Sequence, residues 1–288
     1  MEISIRDLTK TYGQKVALDR VSLTIHKGMF GLLGKNGAGK TTIMRILVTL
    51  IPPSSGEVMI NGIPISERTK VRSIIGYLPQ NFSIYPSFNV YESLDYLGIL
   101  SGLSDNRKRK KRISELLDKV NLTEAIKTKS KNLSGGMLRR LGIAQALLAD
   151  PQVLIVDEPT VGLDPEERIR FRNMLSDLAE DRIVLLSTHI VEDIEATCDQ
   201  LAILDSGKLV YGGGIKDLLI QAQDYVWTAT IDHEMLEQIK KQDALLSAVA
   251  EGDGFKVRLL SKTIPFAGAK KVKPSIEDAY MKVIRGMK

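Results

Sequence analysis

Gly34-Lys35-Asn36-Gly37-Ala38-Gly39-Lys40-Thr41 has the spacing G-x-x-x-x-G-K-T. Its glycines let the backbone wrap so tightly that successive N–H groups converge on one anion, which suits a nucleotide phosphate. A helix opening near Lys40 adds the positive end of its dipole. Lys40 is expected to reach the β- and γ-phosphates and the Thr41 hydroxyl to ligate Mg²⁺. Gly34, Asn36, Gly37, Ala38, Gly39 and Thr42 complete the expected nucleotide cradle. Further on, the apolar run Val153-Leu154-Ile155-Val156 delivers Asp157-Glu158. A parallel strand ends at the sheet edge where ligands bind, so both carboxylates would stand beside the phosphates. Asp157 is expected to hold Mg²⁺ through water, and Glu158 to polarise the attacking water. The chemistry within reach is hydrolysis of a nucleoside triphosphate.

These groups meet only if strands and helices arrive in a fixed order. Residues 29–33 read as a buried strand feeding the glycine-rich loop. Residues 41–50 carry helical spacing at Ile43, Ile46, Leu47 and Leu50, stopped by Pro52-Pro53. Ahead of them Ile3, Ile5 and Leu8 recur near period two, and residues 21–25 alternate. Residues 56–60 and 74–78 are further strands. Helical spacing then takes over at 91–100, 113–120 and 137–148. From Pro151 strands at 153–156 and 183–186 alternate with helices at 166–178 and 190–196. Residues 201–204 and 209–211 flank Ser206-Gly207, a hairpin signal. The expected fold is α/β: a P-loop NTPase core with an N-terminal antiparallel β subdomain, an inserted α-helical subdomain over about 81–148, and a small C-terminal α+β appendage. The nucleotide-binding domain is assigned to 1–212 and the appendage to 213–288. In the appendage 216–223 and 275–284 read as helices, and 225–231 and 255–260 as strands; no motif marks it.

Hydrophobic content of 43% and charged content of 26% are ordinary for a globular protein. No apolar stretch approaches the roughly 18–20 uncharged residues that span a bilayer. Met1 to Arg6 lack the basic-then-apolar order of a signal peptide. The one cysteine, Cys198, excludes an internal disulfide, fits a reducing compartment and reads as a buried apolar filler. A cytosolic chain is expected. The net charge of +5 is concentrated in the run Arg107-Lys108-Arg109-Lys110-Lys111-Arg112. That run opens a stretch with helical spacing at Ile113, Leu116, Leu117 and Val120. It reads as a solvated helix face ahead of a nucleic-acid patch or a contact with anionic lipid headgroups.

Leu133-Ser134-Gly135-Gly136-Met137 resembles the signature sequence of the ATP-binding cassette (ABC) ATPases, and residues 1–212 match that family's motifs in order. The resemblance implies that Tyr12 stacks on adenine. It makes Gln80, in Gly76-Tyr77-Leu78-Pro79-Gln80, a contact to Mg²⁺ and water that links to the helical subdomain. Gly162-Leu163-Asp164-Pro165 resembles a loop that crosses a dimer interface, bringing Asp164 to the nucleotide. His189, in Ser187-Thr188-His189, resembles a γ-phosphate contact. Taken alone, Tyr12 would more often be packing and His189 structural; His26 and His233 carry no assignment. Ser134, Gly135 and Gly136 at a helix start form a nest of donors. By resemblance this nest completes the ATP site of the opposite subunit, so two ATP molecules would lie between two head-to-tail chains in a homodimer or heterodimer.

Met137 stands where the signature usually has Gln. With Leu138-Arg139-Arg140-Leu141, Pro86 to Glu92 and Ser275 to Met281, it resembles the ABC-2-type (drug, sodium, antibiotic exporter) branch. The resemblance then implies an ATP-hydrolysing transporter subunit, peripheral on the cytoplasmic face of the membrane. Its partner would be an integral membrane permease on a separate chain, docked on Gln80 and the segment to about Glu92. No nucleic acid is expected. The alternative, a soluble ABC ATPase acting on ribosome or DNA, usually carries two cassettes, long coiled coils or zinc-binding cysteines, none of which this sequence has. A protein using ATP only as a switch is disfavoured by Glu158.

Overall fold

The computed structural model describes residues 1–240 and 244–287. It forms two units, Met1–Leu209 and Val210–Lys288. The first opens with strands Glu2–Tyr12 (β1), Lys15–His26 (β2) and Gly28–Leu33 (β3), then helix Lys40–Leu47 (α1). Ser55–Ile60 (β4), Ile63–Pro64 (β5), Arg68–Ile74 (α2) and Ile75–Leu78 (β6) follow. Three helices come next: Val90–Leu100 (α3), Asn106–Lys119 (α4) and Gly135–Ala146 (α5). The unit closes with Val153–Asp157 (β7), Pro165–Ala179 (α6), Ile183–Thr188 (β8), Val191–Thr197 (α7) and Gln200–Asp205 (β9).

Strands β2-β1-β4-β5 form an antiparallel sheet. Its alternation puts Ile3 and Ile5 on the buried face, with Ile3 paired to Ile25 and Ile60, and an irregularity at Asp7 (φ 47°) brings Leu8 into the same core. Strands β9-β3-β8-β7-β6 lie side by side and parallel. Every residue of β7 and β8 is buried, as expected where both faces of a parallel sheet are covered. The two sheets share one core with Ile43, Ile46 and Leu47 of α1. Each such aliphatic side chain contributes about 1.5–3 kcal/mol by leaving water. The register pairs Leu33 with Thr188 and Asp157 with Ser187. The loops after β3, β7 and β8 therefore leave the sheet at one edge, and this brings the glycine-rich loop, Glu158 and His189 together.

Helix α1 stops at Leu47, short of the expected Leu50, because Thr49 takes a left-handed φ of 60°. Helix α3 starts on a capping box in which Asn89 and Glu92 exchange side-chain and backbone bonds.

The chain leaves the first unit within Lys208–Gly214 (β10). The second unit continues with Ile215–Ala222 (α8), Val226–Ile231 (β11), His233–Lys240 (α9) and Leu245–Glu251 (β12). It ends with Gly254–Leu260 (β13), Lys270–Lys271 (β14) and Ile276–Ile284 (α10). Its sheet, β12-β13-β11-β14, is antiparallel and buries Trp227, Val257 and Leu259 with Leu236 and Ile239 of α9. Ser275 caps α10 in a box with Asp278, and Arg258 grips the same carboxylate through Nε (2.8 Å to Oδ1) and Nη2 (2.5 Å to Oδ2). Burial alone pushes the Asp278 carboxyl up, but the bonds from Arg258 and Ser275 outweigh it and hold it below the ordinary range. Among the described residues no helix is long and apolar enough to cross a membrane.

Candidate active site

A cleft of about 640 Å³ opens at that sheet edge. Tyr12, Asn36, Gly37, Gly39, Lys40, Thr41, Thr42, Gln80 and Glu158 line it, together with Lys15, Val16 and Ala17, which sequence reasoning did not single out, and Ser206 and Gly207, which it read only as a hairpin turn. Gly39 shows why the loop needs glycine. Its φ is 111°, and a Cβ there would lie 2.7 Å from Leu18 Cδ2 and 3.0 Å from the Ala17 carbonyl oxygen. Gly34 and Ala38 stand behind the lining, Gly34 packed on Leu204 and Ala38 accepting the Gly207 N–H at 3.0 Å. The Tyr12 ring is about half exposed at the mouth, with Lys10 Nζ 5.2 Å from its centroid.

Three ionisable groups meet inside. Lys40 Nζ donates to the Gly34 carbonyl at 2.6 Å and stands 3.3 Å from Glu158 Oε1. Glu158 Oε2 is 2.9 Å from His189 Nδ1. Lys40 and Glu158 are only 4% and 5% exposed, so removing either partner would leave a buried charge uncompensated. Glu158 has a left-handed φ of 46°, and its N–H is held by the Ser187 carbonyl at 3.1 Å. That conformation costs about 1–2 kcal/mol in a residue with a Cβ. It lets two neighbouring carboxylates face different ways: Glu158 lines the cleft while Asp157 does not.

Asp157 is buried beneath the cleft. Its Oδ1 accepts the Ser187 hydroxyl, and its Oδ2 has no hydrogen-bond partner. An unpartnered carboxylate oxygen in the interior is costly unless a cation or a cation-bound water answers it. Mg²⁺ keeps most of its waters and takes one or two protein oxygens plus phosphates. Asp157, with Thr41 and Gln80 at the cleft, offers that donor set, so the residues fit Mg²⁺. The buried carboxylate is felt nearby. Burial, and then Asp157, push the Tyr77 phenol up to about 12. Burial lowers the Arg139 guanidinium from its ordinary value while Asp157 pulls it back up. Arg139, on α5, donates to the Pro79 carbonyl at 3.3 Å, one residue before Gln80.

The ABC transporter family model matches residues 18–161, half of the chain. The ABC transporter ATP-binding protein YxlF of Bacillus subtilis (strain 168) is 35% identical over 298 residues, spanning 98% of this chain and 99% of the relative. The chain belongs to the ABC transporter ATP-binding family. The linearmycin resistance ATP-binding protein LnrL of the same organism is 38% identical, over 75% of this chain and 70% of its own. The dimeric post-hydrolysis structure of the ATP-binding cassette MJ0796, bound to ADP and Pi, superposes with a TM-score of 0.67 at 28% identity. It covers 74% of this chain and 98% of that one. The present chain is thus an ABC ATPase, the ATP-binding and ATP-hydrolysing subunit of a transporter.

In this ABC ATPase the signature lies apart from the cleft. Ser134 caps α5, its Oγ accepting the Met137 N–H at 3.1 Å, which leaves the hydroxyl proton free to donate. A Cβ on Gly135 would meet nothing within 4 Å, whereas one on Gly136 would lie 2.5 Å from Glu167 Oε2. Asp164 caps α6 by accepting the Glu167 N–H at 2.9 Å. Ser134, Gly135, Gly136 and Asp164 do not line the chain's own cleft.

Sequence reasoning quoted Ser187 but missed its bond to Asp157. It also missed Asp193, fully buried, which accepts the Thr160 hydroxyl at 2.5 Å and stands 3.4 Å from the Thr188 hydroxyl. Asp193 thereby fastens the segment after Glu158 to the one before His189. The available signal was an acid four residues past His189 in an otherwise amphipathic helix.

Proposed function

We propose that this ABC ATPase powers export through a separate integral membrane permease, with two ATPase chains closing head to tail on two ATP molecules at the cytoplasmic face. The observation that carries the reading is the Glu158 carboxylate, held between Lys40 (3.3 Å) and His189 (2.9 Å) at the phosphate loop. Glu158 accepts a proton from the water that attacks the γ-phosphorus, and the bond to the β–γ bridging oxygen breaks to give ADP and phosphate. Lys40 neutralises the β- and γ-oxygens, the loop N–H groups cradle them, and His189 positions the γ-phosphate. Thr41, Gln80 and Asp157 would hold Mg²⁺, which would supply positive charge to the phosphates. Tyr12 stacks on the adenine. Ser134, Gly135, Gly136 and Asp164 serve the nucleotide of the opposite chain.

Export is supported by the linearmycin resistance name of one relative. Permease docking falls to the segment from Gln80 to about Glu92 and to the neighbouring groove of about 500 Å³, which Leu50, Tyr77, Phe82 and Ser101 help line. Residues 213–288 are an accessory domain that follows the nucleotide-binding domain of 1–212 in the chain. The test is purification of the tagged chain from membranes, with and without Glu158→Gln. An integral membrane protein should co-purify, and the variant should bind ATP without turning it over. Recovery with ribosomes or DNA alone would overturn the transporter reading.

A further inference from the structure

The basic run 107–112 does not act as one patch. Arg109 is buried: its Nε meets Asp95 at 2.6 Å and its Nη1 the Leu103 carbonyl at 2.7 Å. Arg112 donates to the Leu147 carbonyl at 2.7 Å and to Asp150 at 3.0 Å. These two arginines lock α4 onto α3 and α5. The other four, Arg107, Lys108, Lys110 and Lys111, are exposed, and Lys111 stands 3.9 Å from Glu115. They crowd the first turns of α4 against the helix dipole, just after the N-cap Asp105, whose carboxylate is taken up by the Arg107 and Lys108 backbone N–H groups. A cation near a helix N-terminus opposes the helix dipole, so helix stability does not account for them.

Ile99 and Leu100, which end α3, are 51% and 66% exposed, and the short connection 101–105 joins them to the start of α4. Arg109 is packed on Gly98 and ties the two helices at this corner. Nearby Tyr85, Phe88 and Tyr96 pack on one another, tilted or edge to face. Exposed aliphatics followed by a run of exposed cations are the composition of an interfacial membrane contact. The corner also continues the face assigned above to the permease. We infer that the α3–α4 corner of the ABC ATPase docks on anionic lipid headgroups, with Arg107, Lys108, Lys110 and Lys111 as the lipid-facing charges. This rests on the membrane placement proposed above.

The full chain is tested by flotation with vesicles of phosphatidylcholine alone or with about a third phosphatidylglycerol. Binding should appear only on the anionic vesicles and fall with salt. Changing all four residues to Gln should weaken it at least a hundredfold, since each basic residue near such a surface contributes about fivefold, ~1 kcal/mol. ATPase activity and melting temperature should hold. A control with Lys27, Lys70, Lys216 and Lys256 changed to Gln should keep most of the binding. Equal loss in the control, binding to neutral vesicles, or retention by the four-residue variant overturns the inference, as does loss of RNA binding with vesicle binding unchanged. The vesicles hold no permease, so this reading and the transporter reading fail separately.

Discussion

His189 Nδ1 stands 2.9 Å from Glu158 Oε2, while Oε1 of the same carboxylate is 3.3 Å from Lys40 Nζ. One buried carboxylate is thus bracketed by a ring nitrogen from the segment just after β8 and an ammonium from the start of α1. In the mechanism proposed above, that places the proton acceptor beside the group that neutralises phosphate charge.

Replacing Glu158 with Gln keeps the size and a hydrogen bond to His189 but removes the proton acceptor. Turnover should fall roughly 10²–10⁴-fold, as for loss of a general base, while ATP affinity changes little. Single-turnover phosphate release and equilibrium nucleotide binding separate the two effects. Unchanged phosphate release would remove Glu158 from the role assigned to it.

Ser187 reaches Asp157 from the next strand and leaves Oδ2 as the one unpartnered oxygen of that carboxylate. Ser187→Ala should raise the Mg²⁺ concentration for half-maximal activity about 10–100-fold by loosening a residue that orients the metal's support. Metal-free ATP binding should stay put, and Ser187→Thr should recover part of the loss. An unaltered Mg²⁺ titration would separate Ser187 from the metal.

Most of the site was legible because its signals are local. Gly39 needs a positive φ and no Cβ, and β7 needs an unbroken apolar run, so both write themselves into adjacent residues. The bonds of Ser187 to Asp157 and of Asp193 to Thr160 join residues about thirty positions apart, and nothing local encodes them. In the fold, α2 went unforeseen because it buries only Val71. Strand β12 escaped because it is largely exposed and shows no alternation. Cys198 is buried as expected, and burial pushes its thiol up to about 12.

Gly135 and Gly136 are neighbours with different constraints. Gly135→Ala adds a methyl into open space and a better helix former, so the monomer should melt at the same temperature or slightly higher. The same methyl would face the opposite chain's nucleotide, and ATP-driven dimerisation should weaken. Gly136→Ala should destabilise the monomer itself by about 1 kcal/mol. Its methyl displaces Glu167, which Arg140 and Arg170 hold at 3.5 and 3.6 Å. Calorimetry and light scattering with and without ATP distinguish them; equal dimerisation of Gly135→Ala and the parent would exclude the signature from the interface.

The second unit carries its own titration. Asp278 is held below the ordinary carboxylate range of about 3.9, so it favours folding above that value and ceases to do so as pH falls through its lower folded pKa. Trp227, the chain's one tryptophan, is buried in this unit's core and reports its unfolding. Near pH 7, Asp278→Asn should reduce that stability by about 2 kcal/mol, a charged bond to Arg258 being exchanged for a neutral one. Arg258 is part-exposed, which keeps the cost below that of a fully buried pair. The difference between parent and variant in Trp227 fluorescence melts should shrink as pH falls below about 4, since the parent then loses the same charge. A gap that stays constant down to pH 2 would mean that the Asp278 charge is not what anchors α10.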